Sequence, residues 1–149
     1  MLRGLISSAV LAFALVPAAS AANEIGKIEN SAGGAVVLRE GKVLPTTPGT
    51  ILQLNDIVRT EPGGLLRLVL NDGSSLLVNE NTELRVAVFD REQEQTLVEM
   101  LHGHILAQVA PYTKQGGRFV VKTPTASVLA IGTTKGCLPM TDMVLMCIW

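Results

Sequence analysis

Short runs of aliphatic residues, separated by turn-forming residues at intervals of about eight to twelve positions, constrain the fold of this chain most strongly. Runs rich in Val, Ile and Leu at this spacing are typical of an all-β domain. After residue 23, no stretch follows the 3.6-residue period of an amphipathic helix. We therefore predict a single all-β domain, sandwich- or roll-like, with about eight to ten short strands.

The clearest local signal is a hairpin formed by two strand-like segments, Leu65–Leu70 and Ser74–Val78. Leucines occupy alternate positions in the first segment, which is the period of a strand with one buried face. Asn71-Asp72-Gly73 separates the two segments and predicts a turn, because Gly73 readily adopts positive φ.

Other turn signals divide the rest of the chain. Proline and glycine interrupt strands, and runs of polar residues are typical of exposed turns. The predicted breaks are a loop around Pro45, Pro48 and Gly49, a turn at Glu61-Pro62-Gly63-Gly64, an exposed turn at 90–95 and a loop at 111–117.

The first 21 residues resemble an export signal. Arg3 is followed by an apolar run over 5–16 and by small residues at Ala19 and Ala21, which is typical of a cleaved secretory signal peptide. We expect cleavage after Ala21 and a periplasmic or secreted mature chain. An uncleaved anchor is the alternative, since the uncharged stretch 4–23 approaches the length of a membrane span.

The composition excludes some functions. The formal net charge is -1 and aromatic residues make up 3% of the chain, which argues against phosphate binding and base stacking, and so against a nucleic-acid partner. No apolar run after the signal reaches membrane-spanning length, so we expect no membrane span once the signal is cleaved. Because 48% of residues are hydrophobic, the domain can form an aliphatic core without a metal or a disulfide.

A few side chains of this sequence could take part in metal binding or catalysis. His102 and His104 would share one face of a continuous strand, but a third metal ligand is not evident. Carboxylates near turns resemble calcium ligands only loosely, and the serines of the hairpin lack a nearby histidine. We therefore expect no catalytic residue, no cofactor and no metal. The acidic and serine side chains in question are Asp56, Asp72, Glu80, Glu83, Ser74 and Ser75.

The last fourteen residues differ in composition from the rest. Residues 136–149 contain both cysteines, the only Trp and a single charge at Asp142. This tail is interpreted either as a divergent last strand or as the product of a frameshift, so the predicted domain spans 22–135. Cys137 and Cys147 permit a disulfide in an oxidising compartment, although their spacing does not require one.

An ordered series of short motifs resembles the FecR domain over about 25–134. The motifs are Gly26-Lys27-Ile28 with Ala35-Val36-Val37, Asn55-Asp56-Ile57-Val58-Arg59-Thr60, Pro62-Gly63-Gly64, Asp72-Gly73-Ser74, Asn79-Glu80-Asn81-Thr82-Glu83-Leu84, Gly103-His104-Ile105 and Phe119-Val120-Val121-Lys122-Thr123-Pro124-Thr125-Ala126. The resemblance implies the periplasmic domain of iron-responsive sigma regulators. Two features depart from the family: Ile131-Gly132-Thr133 replaces its Arg-Gly-Thr, and the domain directly follows an export signal, so the anti-sigma role does not transfer.

The resemblance and the export signal together predict a non-catalytic binding or sensing module of the bacterial envelope. Its partner would be an envelope protein or glycan, held at exposed strand edges and turns. The alternative is a structural role, either as a cell-surface component or as the N-terminal piece of a larger exported protein.

Overall fold

Two β-sheets contain nearly all the regular structure of the described residues. The computed structural model of the protein describes residues 23–124, 127–131, 136–141 and 144–148, with side chains for residues 23–124. In chain order the strands are β1 (Glu24–Ala32), β2 (Ala35–Arg39), β3 (Lys42–Leu44), β4 (Ile51–Gln53), β5 (Ile57–Thr60), β6 (Leu65–Leu70), β7 (Ser75–Val78), β8 (Glu83–Asp90), β9 (Gln95–His102), β10 (Ile105–Val109), β11 (Arg118–Lys122), β12 (Ser127–Ile131), β13 (Gly136–Thr141) and β14 (Val144–Ile148).

In the described part of the chain, each sheet has seven strands. The first sheet has the order β13-β14-β10-β7-β6-β1-β4, and the second has the order β12-β11-β9-β8-β5-β2-β3. The neighbouring strands are antiparallel except for β10 with β14 and β9 with β11. The edges β4 and β3, which belong to different sheets, are joined by the short segment 45–50.

The core lies between the two sheets and is aliphatic. Leu66, Leu68 and Leu70 of β6 are at most 2% exposed, while the residues between them face outward. The second sheet contributes Phe119, the largest fully buried side chain, to the same cluster. Each such side chain stabilises the fold by about 1.5–3 kcal/mol. The all-β prediction is therefore confirmed, with a sandwich of two sheets around one core.

The predicted hairpin is present as β6 and β7. The amide of Gly73 donates to the carbonyl of Leu70 at 3.0 Å, and Gly73 has a φ of 90°. The backbone therefore forms a tight turn followed by a glycine in the left-handed region, as the Asp-Gly pair predicts. The turn at 91–94 and the loop at 111–117 also lie where the sequence predicts them.

The structure contains more strands than the expected eight to ten. Part of the difference is β3 and β4, three-residue strands beside the stretch that the prolines mark as a loop. Strands this short show no measurable alternation, and their extended conformation is imposed by pairing with β2 and β1. The sequence pattern therefore detects the long central strands better than the edges.

The predicted signal peptide, 1–21, lies outside the described residues, so its cleavage stays a prediction. In the tail, β14 pairs in parallel with β10 and antiparallel with β13. Cys137 and Cys147 are direct backbone partners in the β13–β14 pair. The division of the chain at 135 and the disulfide both stay predictions.

Candidate binding site

Two motif threonines join adjacent segments of the sandwich. The hydroxyl of Thr60, at the end of β5, donates to the carbonyl of Asn79 at 2.5 Å and accepts from the amide of Thr82 at 3.0 Å. The amide of Thr60 in turn donates to the carbonyl of Thr82 at 2.9 Å. Both side chains are buried, at 3% and 0% exposure. Their hydroxyls therefore satisfy buried backbone groups.

The glycine motif joins the same cluster. The hydroxyl of Thr82 accepts the amide of His104 at 3.0 Å, and Gly103 has a φ of 104°. A Cβ on Gly103 would lie 2.1 Å from the Thr82 hydroxyl oxygen, which is closer than any side chain tolerates. Glycine is therefore required here for both its φ and its lack of a side chain.

The two histidines lie on either side of that turn. His102 is the last residue of β9, and His104 precedes β10, so they do not occupy one continuous strand. Both side chains are exposed. In the part of the chain with described side chains, no group of three or more His, Cys, Asp or Glu residues is arranged to hold a metal ion.

Asp56 forms an ion pair with Arg39. Nε and Nη2 of Arg39 donate to its two carboxylate oxygens, and Oδ2 also accepts the amide of Gln53 at 2.8 Å. Arg39 Nη2 donates to the carbonyl of Ile51 as well. The hydrogen bond to Asp56 raises the pKa of Arg39. Asp56 therefore engages the exposed edge of β4, directly at Gln53 and through Arg39 at Ile51.

The other polar candidates also form structural contacts, to the backbone or to other side chains. Glu80 accepts the amide of Gly63, and Glu83 pairs with Arg59 at 2.7 Å. The buried Ser74 hydroxyl accepts the amide of Ala110 at 3.0 Å. Ser75 donates to Gln108, on the outer face of the first sheet.

One small cavity lies at the end of the sandwich, where the β6–β7 turn, the β8–β9 turn and the β10–β11 loop converge. It has a volume of about 200 Å³ and is lined by Asn71, Asp72, Asp90, Arg91, Glu94, Pro111 and Tyr112. Oδ1 of Asp72 accepts the amide of Ser74 at 2.8 Å. The other oxygen, Oδ2, is buried without a hydrogen-bond partner among the described residues.

The charge around this cavity is predominantly negative. Glu94 accepts the amide of Lys114, and the amide and hydroxyl of Thr113, and these bonds hold the pKa of Glu94 below its usual value. Burial raises the pKa of Tyr112 to about 12, and a side-chain hydrogen bond with Thr96 lowers it by a smaller amount. Sequence reasoning missed Tyr112; its only signal is that the chain's single tyrosine follows a proline in a predicted loop.

The two sheet edges at β3 and β4 differ in their accessibility. On β4, the outward carbonyl of Ile51 and the outward amide of Gln53 are engaged by the Arg39–Asp56 pair. On β3, the two-residue turn after Arg39 directs the amide and carbonyl of Val43 away from β2. Val43 is 65% exposed, and no hydrogen bond among the described residues engages its outward groups.

The fold and its polar contacts define an all-β sandwich domain whose motif residues hold strands and turns together. The family described as FecR protein matches residues 56–141, more than half of the chain. The chain belongs to the FecR family, a family of signalling and sensing domains. No curated protein and no solved structure matches it significantly.

The motifs of the resemblance lie largely within this match, and Asp56, Thr60, Thr82 and Gly103 bring neighbouring backbone segments together. Among the described residues, no helix combines the length and apolar character that crossing a membrane requires.

Proposed function

We propose that this chain is an exported, non-catalytic binding and sensing module of the bacterial envelope, periplasmic or secreted. The observation that carries the proposal is the engagement of the motif residues in structural hydrogen bonds, in a domain of a signalling and sensing family. Because the polar motif residues stabilise the backbone, we infer that the domain recognises its partner through its exposed turns and strand edges.

The open edge at β3 supports binding of a polypeptide. A strand that adds to a sheet needs a free backbone amide and carbonyl, and Val43 offers both. The neighbouring edge at β4 is closed by Arg39 and Asp56, so pairing would be confined to one sheet. Lys42 and Pro45 flank the open edge and limit its length, which favours a short, reversible contact over aggregation.

A glycan is the less favoured partner. Sugar rings are commonly held against exposed aromatic faces, and this chain has few of them. Tyr112 and Phe119 are at most 6% exposed, and Phe89 packs against the core. The described surface therefore suits backbone pairing better than ring stacking.

Export is tested by expressing the full chain with a C-terminal tag, fractionating the cells and sequencing the N-terminus of the recovered protein. The proposal predicts a periplasmic or secreted product that begins at Ala22. A product that stays in the cytoplasm with an intact N-terminus would contradict it. A product retained in the inner membrane would support the uncleaved anchor instead.

Binding at the open edge is tested by placing a photo-crosslinking amino acid at Val43 and, as a matched control, at the exposed Ile51 of the closed edge. We expect a discrete protein adduct in envelope extracts from Val43 alone. A second probe at the neighbouring, exposed Lys42 allows the edge itself to be changed: in that chain Val43→Pro removes only the outward amide and should abolish the adduct without unfolding the domain. Equal labelling from Val43 and Ile51, or a Lys42 adduct that survives Val43→Pro, contradicts pairing at this edge.

A further inference from the structure

Two cations face each other where the open edge begins. Arg39 and Lys42 are directly opposed in the β2–β3 pair, and like charges opposed across strands are unfavourable. Asp56 compensates the charge of Arg39 through both carboxylate oxygens. Lys42 is exposed and forms no ion pair among the described residues, not even with Glu40 in the turn between the two strands. An uncompensated positive charge therefore lies beside Val43.

The outer face of the second sheet is apolar next to this edge. Val43 is directly opposite Leu38, and Leu38 is directly opposite Ile57, so the three residues form a row across β3, β2 and β5. The neighbouring Val37 is buried in the core, which places this row on the outer face. Leu38 and Ile57 are partly buried, whereas Val43 is 65% exposed. An apolar side chain on an added strand would continue the row and cover Val43.

The shortness of the edge favours an antiparallel partner. Val43 is the residue of β3 whose amide and carbonyl both point away from β2, and Pro45, two positions farther on, has no amide to donate. One residue of an antiparallel strand can exchange both hydrogen bonds with Val43. A parallel strand divides the same two bonds between two residues and is slightly less stable. We therefore expect the contact to centre on a single partner residue.

Antiparallel pairing also fixes which partner residue meets Lys42. If the central residue lies opposite Val43, the residue that follows it lies opposite Lys42, and the residue before it lies opposite Leu44. These flanking positions are the closer, non-hydrogen-bonded pairs, with Cα atoms about 4.5 Å apart. A carboxylate opposite Lys42 would compensate its charge. A second copy of β3 supplies none, because self-pairing about Val43 places Leu44 opposite Lys42.

We propose that the open edge binds an extended segment, antiparallel to β3, in which an apolar residue opposite Val43 is followed directly by an acidic residue opposite Lys42. The inference rests on the proposed function and specifies its partner, a polypeptide with an apolar residue directly before an acidic one. Opposite charges across strands favour pairing and like charges oppose it, so an acidic residue should be preferred over a basic one by about threefold to tenfold in affinity.

The test follows the NMR signal of the Val43 amide while peptides are added to the full mature chain, isotope-labelled at its amide nitrogens. The probes are three capped hexapeptides with the central pairs Val-Glu, Val-Lys and Glu-Val, each flanked by two threonines on either side. We expect saturable shifts, with Val-Glu binding about threefold to tenfold more tightly than Val-Lys. Glu-Val should also bind less tightly, because its acidic residue would lie opposite Leu44.

A substitution at Lys42 assigns the preference to this residue. Lys42→Gln removes the charge without placing a carboxylate opposite Arg39, and it should make the affinities for Val-Glu and Val-Lys equal. Lys27→Gln is the matched control, because Lys27 is an exposed lysine on β1 of the first sheet. It makes the same change in net charge and should leave the preference for Val-Glu unchanged.

The outcomes separate this inference from the proposed function. Equal binding of Val-Glu and Val-Lys to the native chain, or a preference that survives Lys42→Gln, overturns the inference and leaves pairing at Val43 intact. Tighter binding of Glu-Val than of Val-Glu overturns the antiparallel order. If no peptide shifts the Val43 amide, or if its signal responds only to the concentration of the protein itself, binding of a partner polypeptide at this edge is overturned, and the inference with it.

Discussion

The carboxylate of Asp56 accepts two hydrogen bonds from the guanidinium of Arg39, from Nε to Oδ1 at 2.9 Å and from Nη2 to Oδ2 at 2.7 Å. The same pair engages the outward amide of Gln53 and the outward carbonyl of Ile51. One ion pair thus links β2 of the second sheet to the exposed edge of β4 in the first. Because unpaired strand edges promote association between chains, this contact both stabilises the fold and protects an edge.

Removing the carboxylate should therefore be costly. Asp56→Ala leaves Arg39 and the amide of Gln53 without their partner, and we expect a loss of about 3 kcal/mol in the free energy of unfolding. Glu99→Ala removes the partner of the more exposed Arg85 and should cost less than about 1 kcal/mol. Urea denaturation of both variants gives the comparison. Equal losses in the free energy of unfolding would show that the Arg39–Asp56 pair stabilises the fold no more than the exposed Arg85–Glu99 pair.

Gly103→Ala should be among the most damaging glycine substitutions in the domain. The added Cβ would lie 2.1 Å from the Thr82 hydroxyl oxygen, and the residue would keep an unfavourable positive φ. We expect a loss of about 3 kcal/mol or more. Gly41→Ala is the matched control, since Gly41 has a φ of 77° but open space around it.

The control should cost about 1 kcal/mol, from backbone strain alone. The difference between the two variants, measured by thermal denaturation, isolates the close approach to Thr82. Similar melting temperatures for the two variants would disprove the contact.

Gly73→Val tests the turn of the central hairpin. A β-branched residue at a φ of 90° is strained, and we expect a cost of about 1–3 kcal/mol. Nearby packing is not the cause, because a Cβ at this position would meet only the Ala110 Cβ at 3.6 Å. Gly73→Asn should be milder, since Asn tolerates the left-handed region better. An unchanged melting temperature for Gly73→Val would refute this turn.

The raised pKa of Tyr112 predicts how the stability of the domain changes at alkaline pH. Its pKa is raised from 10.0 to about 12 by burial, so the folded chain holds this proton more tightly than the unfolded chain. The stabilisation is complete below pH 10 and is lost as the pH rises through 12. The absorbance of the single tyrosine should report phenolate formation near pH 12 when folded and near 10 in urea.

The Tyr112→Phe variant lacks this titration, so between those two pH values it should lose about 2 kcal/mol less stability than the native chain. Equal pH profiles for the two proteins would contradict the raised pKa.

The two cysteines should form a disulfide in the oxidising compartment to which we propose the chain is exported. Cys137 and Cys147 are directly opposed in the β13–β14 pair, and opposed residues of antiparallel strands have Cα separations of about 4.5–5.5 Å, within the range that a disulfide spans. Mass spectrometry of the protein after alkylation without reductant should show two hydrogens fewer and no alkylated thiol. Recovery of two alkylated cysteines would contradict the pairing, and Cys137→Ser provides the single-thiol reference.

The local features of the fold were predictable because they arise from neighbouring residues. Alternating leucines in β6 and the Asp72-Gly73 turn encode their conformation within a few positions, and the hairpin forms as the pattern predicts. The edge strands β3 and β4 were not predictable in this way, because three residues carry no period and their shape depends on strands paired to them.

The residues that line the candidate cavity were likewise only partly predictable from the sequence. Asp72 was evident as a turn carboxylate, but nothing near it in the sequence indicates that Tyr112 lies at the same cavity. The histidines, by contrast, were close in sequence and are separated by the turn at Gly103. Proximity in the chain therefore did not indicate a shared site, and a shared site did not require proximity.

The sequence by itself determined the all-β class, the central hairpin and the order of the family motifs, since strand period and turn chemistry act over a few residues. Only the tertiary structure decided that Arg39 reaches Asp56, that Thr60 and Thr82 share hydrogen bonds, and which sheet edge stays open. These contacts join residues far apart in the chain. They exist because packing two sheets around one aliphatic core brings such residues together and makes an unpaired buried polar group costly.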